Sequence, residues 1–338
     1  MLQYYYILFI VLHLEFYCLI LHFRIWQYGE WTDVVVDDYL PTRNGRLLYI
    51  KSASENEFWS ALLEKAYAKL HGCYEALKGG STCEAMVDFS GGCSEIQELG
   101  NNVLEWEGIY KNMRKNYERC TMIACYINAD PNVVEAKTDV GLIQGHAYSV
   151  TKVVQAKIDT GNKQGVFPLV RVRNPWGNEA EWKGAWSDGS KEWQFIPEDE
   201  KLKLGLNFEH DGEFYMSQND FMSYFEAVEM THLMPGSLDD DEIAEGKLQW
   251  NTKYFEGSWV KGVNAGGCRN FLDTFATNPQ YLAVLEDSDE DEDDLCTCII
   301  SLMQKGTRKK KAENQMDGCL TIGNTSLFLI MASLRSFF

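Results

Sequence analysis

Cysteine is scarce: ten in 338 residues, irregularly spaced, far below the density that staples a small secreted scaffold. With no basic n-region and no small-residue cleavage site near the start, the thiols are expected to be reduced and the chain cytoplasmic. Basic side chains are also in deficit, 31 Lys and Arg against 50 Asp and Glu, for a net charge of −19. Such a surface repels phosphate backbones, which excludes nucleic acid as the main partner. A long apolar run is missing as well. Residues 1–23 are rich in Tyr, Ile, Leu and Phe, yet Gln3, His13, Glu15 and His22 interrupt them, and the longest clean stretch, Tyr4 to Leu12, is nine residues. A spanning helix needs about 20. The segment is therefore expected to be a buried strand or helix, or a translated leader foreign to the fold, and no transmembrane segment is expected. Internal repeats are absent too. What is present is core material: 45% apolar and 13% aromatic residues, enough for one large domain or two or three modest ones.

Along the chain, Thr32–Val36 and Arg46–Ile50 read as two strands joined through Asn44-Gly45, a pair that supplies the positive φ of a tight hairpin. Phe58, Leu62, Leu63, Tyr67 and Leu70 recur at helical spacing and predict a helix over Glu55–Leu77, with Ser54 and Glu57 as a capping box. Gly79-Gly80 breaks it and is a candidate hinge. A helix over Asn101–Arg119 follows. Strands are expected at Thr121–Asn128, His146–Val154, Val166–Asn174 and Gly212–Ser217, and a helix over Gln218–Glu226. Residues 233–248 read as an acidic linker. Beyond it, short apolar runs with Gly and Asn turns suggest an all-β module. That module is interrupted by eight acidic residues within Glu286–Asp294 and by five basic ones over Lys305–Lys311.

One pair of motifs carries chemistry. Gly145-His146-Ala147-Tyr148 opens a strand, and Arg173-Asn174-Pro175-Trp176-Gly177 ends another some thirty residues later. An imidazole base needs its second nitrogen held by an acceptor that fixes tautomer and orientation, and an asparagine amide oxygen does this in thiol chemistry. Pro175 holds Asn174 extended. Trp176 is placed to shield a His–Asn hydrogen bond from water. A histidine opening a strand is by itself an ordinary structural or surface residue. The Asn-Pro-Trp-Gly at this distance reverses that reading.

These strings resemble the calpain family of calcium-dependent cysteine endopeptidases. The resemblance also rests on His22-Phe23-Arg24-Ile25-Trp26, Glu57 to Lys69, Gly145 to Thr151, Arg173 to Asp188 and Asp211-Gly212-Glu213-Phe214. It continues through Gly257-Ser258-Trp259 to Pro279-Gln280-Tyr281, ends at Leu320-Thr321-Ile322-Gly323, and so covers roughly residues 20–323. It implies an α+β papain-like cysteine protease core, second sub-domain complete and first partial, followed by a truncated antiparallel β-sandwich. The expected divisions are 1–19 as a leader outside the family pattern, 20–80 and 81–232 as the two sub-domains, the linker 233–248, the sandwich 249–323 and a divergent tail 324–338. His146 and Asn174 match the catalytic histidine and asparagine. The family's nucleophile lies in a Gly-Asp-Cys-Trp motif that belongs upstream of residue 1. Cys18, Cys73 and Cys83 lack those neighbours, and Cys73 and Cys83 read as buried structural thiols.

Glu181, Asp188 and Glu209-His210-Asp211-Gly212-Glu213 form a second group. By spacing alone they read as a solvated acidic face. The resemblance assigns Glu181, Asp188, Asp211 and Glu213 to a calcium site, with Glu209 offering its main-chain carbonyl, and Glu57 to a companion site whose other ligands lie upstream. Hard oxygens of this kind suit calcium. Glu286–Asp294 reads alone as a solvated loop; the resemblance couples it to calcium or phospholipid, with Lys305–Lys311 as its basic partner or as an anionic-membrane contact. No EF-hand loop occurs. Two functions follow. One is a calpain-type protease acting on intracellular proteins, inactive as this chain stands because the thiol is missing. The other is a non-catalytic, calcium-binding regulatory module that competes for calpain substrates or partners.

Overall fold

The computed structural model describes residues 20–234, 251–282, 298–304 and 326–332, apart from 53, 55, 101, 120, 131, 132, 134, 162, 163, 178, 179 and 210. Residues 1–19, the acidic linker from 235 onward and the acidic and basic runs lie outside the described residues. The chain forms two compact units. One comprises 1–93, 234–243 and 249–338; the other comprises 94–233 and 244–248.

In the first unit, β1 (Ile20–Gln27) and β2 (Glu30–Asp37) form an antiparallel hairpin turning on Tyr28 and Gly29, both at positive φ. Alternation sends Leu21, Phe23 and Ile25 inward with Val34 and Val36, and leaves His22 and Arg24 outside on Asp33. Thr32–Val36 thus pairs with β1, not with Arg46–Ile50 as expected. The Asn44-Gly45 turn forms as anticipated, at φ of 53° and 73°, but closes only two-residue strands, β3 (Thr42–Arg43) and β4 (Arg46–Leu47). A full hairpin there had to compete with β1, whose apolar face matches Val34 and Val36.

Helix α1 (Trp59–His71) lays Leu62, Ala66 and Tyr67 on that sheet and ends at Gly72, at φ 104°. Its predicted extension to Leu77 is a separate 3₁₀ turn, Tyr74–Leu77. The capping box does not form: Phe58 is the N-cap, and the Glu57 carboxylate accepts from Ser52 Oγ at 2.6 Å and Trp59 Nε1 at 2.9 Å. Helix α2 (Thr82–Ser90), beyond Gly79-Gly80, packs on β1 within this same unit. The tyrosine of α1, Tyr67, donates to Asp88 of α2.

The same unit holds β11 (Asn251–Gly257), β12 (Cys298–Gln304) and β13 (Ser326–Ala332), an antiparallel sheet in the order β11-β13-β12. Its central strand lies in the stretch expected to be a divergent tail. Between β11 and β12, the Asn278 side chain ties down a loop, accepting from Trp259 Nε1 and Gly266 N and donating to Gly267 O.

The second unit is built on a six-stranded sheet in the order β5-β10-β6-β7-β8-β9. The strands are β5 (Cys93–Glu98), β6 (Met122–Ile127), β7 (His146–Asp159), β8 (Gln164–Arg173), β9 (Glu213–Ser217) and β10 (Ala227–His232). Helices α3 (Val103–Glu118) and α5 (Gln218–Tyr224) share one core with Val150, Val172, Phe214 and Met216. The opposite face packs Leu169 and Tyr215 against Trp186, Trp193, Ile196 and Leu204, the last from α4 (Glu198–Leu204). Strict alternation along β8 and β9 serves both faces, the pattern of a sheet covered on both sides. A β-bulge at Thr151 resets the alternation of β7, so Val150 and Val153 face the same core. Among the described residues, no helix is long and apolar enough to cross a membrane.

Candidate functional site

Residues 138–145 deliver His146 to the start of β7. Gly145, at φ 68°, donates to Ile127 O, and a Cβ there would lie 3.1 Å from that of Ala129. Gly141, at φ 92°, lies so close to the Glu181 carbonyl that a Cβ would come within 2.0 Å of it. Glycine is required at both positions. Tyr148, on the same face as His146, accepts from Ile143 N at 2.8 Å and meets the imidazole edge-on at 5.1 Å. Burial pushes its phenol up to about 12, so it stays neutral and fixes the loop.

Asn174 follows directly on β8 and has no solvent exposure. Its backbone N–H donates to Gly212 O at 2.8 Å, and its Nδ2 donates to Ala180 O at 3.2 Å. Its Oδ1 accepts from Trp176 N at 3.1 Å and lies 2.9 Å from His146 Nε2. Those two backbone partners fix which end of the amide is oxygen. An amide oxygen only accepts, so Nε2 carries the proton and the lone pair of neutral His146 sits on Nδ1. The Trp176 ring stands 4.6 Å from the imidazole, itself partly exposed. The imidazole is thereby oriented as a general base through Nδ1, sheltered on two sides by aromatic rings. Sequence reasoning gave roles to His146, Asn174 and Trp176 but none to Tyr148, two residues on and so on the same side of the strand. It also missed Glu135, whose Oε1 is 3.6 Å from Nδ1; no motif marks that loop residue.

The carboxylates gather in part. Glu181 is buried and its Oε1 accepts from Gly212 N at 2.9 Å. Asp211 N donates to Glu209 O, and Asp211 Oδ1 accepts from Glu213 N, both at 2.9 Å. Asp188 lies in the tight turn between Trp186 and Gly189, both at φ 67°. Glu213 is otherwise engaged: its Oε2 is 2.8 Å from Arg171 Nη2 and its Oε1 accepts from Thr151 Oγ1 at 2.5 Å. Glu57, in the first unit, is held by Ser52 and Trp59. Among the described residues no three His, Cys, Asp or Glu side chains are drawn together as a metal cluster. The donor chemistry of Glu181, Asp188, Asp211 and the Glu209 carbonyl suits a hard cation, since each oxygen in these hydrogen bonds has a further lone pair. Glu213 faces Arg171 and Thr151, one to each oxygen.

Gly212 joins the two groups. Its N–H is held by Glu181 and its carbonyl holds Asn174. At φ 83°, Gly212 turns between these two contacts in a conformation that other residues rarely adopt.

The family model for Calpain family cysteine protease matches residues 10–232, and that for Calpain large subunit, domain III matches 255–332. The second match takes in β13, beyond the point where the resemblance was expected to end. Calpain-A of Drosophila melanogaster is 56% identical over 314 residues, 91% of this chain and 37% of that protein. Calpain clp-1 of Caenorhabditis elegans is 49% identical over 88% of this chain and 38% of its own length. Calpain-9 of Homo sapiens is 47% identical over 87% and 41%. The chain thus spans about two-fifths of the length of these curated relatives.

Proposed function

The chain belongs to the calpain family of cysteine proteases, and we propose that it carries the histidine–asparagine half of a calpain-type endopeptidase site on the second sub-domain of a papain-like core. The observation that supports this most is the 2.9 Å contact between His146 Nε2 and an Asn174 amide whose orientation is set by Trp176 N and Ala180 O. In this reading His146 Nδ1 takes the proton of a cysteine thiol, while Asn174 Oδ1 keeps the Nε2 proton in place as the imidazolium forms. The thiolate attacks the scissile carbonyl, and His146 returns the proton to the departing amine. In the second half-reaction His146 draws a proton from water, which releases the acyl group.

Glu181, Asp188, Asp211 and the Glu209 carbonyl would hold calcium. The ion would supply positive charge that offsets their mutual repulsion. Through Gly212, the positions of Glu181 and Asp211 bear directly on Asn174. The substrates are intracellular proteins in the cytoplasm, and the β-domain that follows contributes a contact to anionic phospholipid.

The 338 residues contain no Gly-Asp-Cys-Trp. A second reading is a regulatory module that competes with active calpains for substrates or partners. Purified chain with millimolar calcium is accordingly expected neither to cleave an unfolded protein nor to be labelled by a thiol-directed epoxide. Calcium-dependent cleavage by the chain alone, abolished by His146→Ala, would show that one of its own ten cysteines serves as nucleophile. Inhibition of an active calpain by the chain, relieved by excess substrate, would favour the regulatory reading.

A further inference from the structure

Strands β7 and β8 outrun the rest of their sheet. β6 pairs with β7 only as far as Val150, and β9 pairs with β8 only from Leu169 onward. Gln155–Asp159 and Gln164–Pro168 therefore run on as a two-stranded ribbon. On the β7 side α4 covers its edge, with Lys157 N donating to Glu200 Oε1 at 3.1 Å. On the β8 side the edge is open. β9 ends at Ser217, opposite Leu169, and the chain turns into α5. Among the described residues no group bonds the outward backbone of Gln164–Pro168. Such a row of unpaired N–H and C=O groups is a template for one more strand. Pro168 removes one N–H from it and no more.

The face beside this edge has places for side chains. Gln155 pairs with Pro168 and Lys157 with Val166, so all four stand on the α3 side of the ribbon, as Val153 and Val170 do in the core. At the inner end lies a hollow of about 340 Å³ walled by Trp106, Tyr110, Pro168, Gln155, Gln218 and Asn219. Trp106 Nε1 donates to Gly100 O and the Tyr110 hydroxyl to Val154 O, which leaves both rings to offer apolar surface. The Gln155 and Asn219 amides have no partner among the described residues, and each holds both a donor and an acceptor. At the outer end Val166 is 56% exposed, with the unpaired ammonium of Lys157 beside it.

We propose that this edge is a docking site for an extended peptide segment of a protein ligand, added as a strand in the lane that β9 leaves. Antiparallel to β8, as β9 is, the segment places an apolar side chain opposite Pro168, in the hollow. Two residues on, its next side chain on that face lies opposite Val166 and within reach of Lys157, where a carboxylate is matched. The sequence recognised is apolar-x-acidic, read from N to C. Backbone bonds to the edge supply affinity, and the two side-chain places supply order. The site is separate from the His146–Asn174 contact: Gln155 lies on the same strand as His146, roughly 30 Å along it at about 3.3 Å per residue. About ten extended residues cover that span, so one unfolded protein is long enough to occupy both places.

The test is calorimetric titration of the full chain with the peptide acetyl-Thr-Phe-Thr-Glu-Thr-amide. Exchanging its Phe and Glu is expected to weaken binding roughly tenfold or more, since both side chains then meet the wrong place. Lys157→Glu should weaken binding about fivefold and should favour a peptide with Lys in place of Glu by a similar factor. Trp106→Ala removes one wall of the hollow and should cost roughly tenfold. Lys157 is exposed, so its charge reversal carries the test if Trp106→Ala fails to fold. His146→Ala, far along the strand, should leave the dissociation constant within about twofold. Equal binding of the two peptide orders, indifference to Lys157→Glu, or loss of binding in His146→Ala overturns the proposal, as does the absence of any heat of binding at millimolar peptide. Self-association of the chain that Lys157→Glu abolishes would put a second copy in the lane and overturn it as well.

Discussion

Replacing Asn174 by alanine tests whether the site is assembled in this chain. The substitution deletes three hydrogen bonds of a side chain with no solvent exposure: His146 Nε2 and Trp176 N to Oδ1, and Nδ2 to Ala180 O. Each is worth about 0.5–1.5 kcal/mol net, and a buried partner left unsatisfied costs more. Trp176 is half-exposed and its N–H can find water, whereas the imidazole is 8% exposed on its side chain and cannot readily do so. The expected loss is about 3 kcal/mol. For a domain of this size that lowers Tm by about 6–12 °C. Calorimetry measures the loss, and ¹⁵N-edited spectra of the histidines report its cause. In wild type His146 should be a single tautomer protonated at Nε2; in Asn174→Ala it should become a mixture. A loss under about 1 kcal/mol with an unchanged tautomer would refute the reasoning, because the amide would then not be holding the ring.

Two further outcomes follow from the same geometry. Calcium at a hundredfold excess over its dissociation constant should stabilise the chain by about 2.7 kcal/mol. Asp211→Asn should remove most of that gain while leaving the calcium-free Tm unchanged or raised, as thermal scans with and without calcium will show. Alkaline pH should weaken the fold between about 10 and 12. Burial raises Tyr110 and Tyr148 to about 12, so the neutral phenols contribute fully below the unfolded value of about 10 and lose that contribution as pH rises through the folded one. Each phenol accounts for on the order of 1–2 kcal/mol after allowance for partial solvent contact. Denaturant midpoints that stay level from pH 9 to 11.5 would contradict this.

The part of the second unit that holds His146 and Asn174 was legible because its signals are local. His146, Asn174 and Trp176 sit at the ends of strands whose own residues alternate, and β6 to β9 appear where the pattern placed them. Helix α3 begins two residues later than expected, with Asn102 accepting from Leu104 N as its cap. What escaped was pairing at a distance. β1 hid inside an apolar run that also suited a helix or a leader. β5, Cys-Ser-Glu-Ile-Gln-Glu, has too few apolar residues to show a period and forms a strand at the edge of the sheet. β13 is an apolar segment without alternation, and only its neighbours reveal it as the middle strand of three. The carboxylates show the same limit. Spacing placed Glu213 beside Asp211, but nothing in the spacing shows that Arg171, forty-two residues earlier by its number, lies 2.8 Å away across the sheet.

The central claim is that His146 works as the base of a calpain-type thiol protease. It is tested most directly by supplying the thiol. This chain, preceded in one polypeptide by a calpain-family segment bearing Gly-Asp-Cys-Trp, is assayed on an unfolded protein substrate with millimolar calcium. The account predicts calcium-dependent cleavage that falls by at least a thousandfold in His146→Ala, the scale on which a nucleophile loses its activating base, and that also drops in Asn174→Ala. Cleavage that survives His146→Ala, or a folded fusion whose thiol reacts no faster with an epoxide than a free cysteine does, would contradict it.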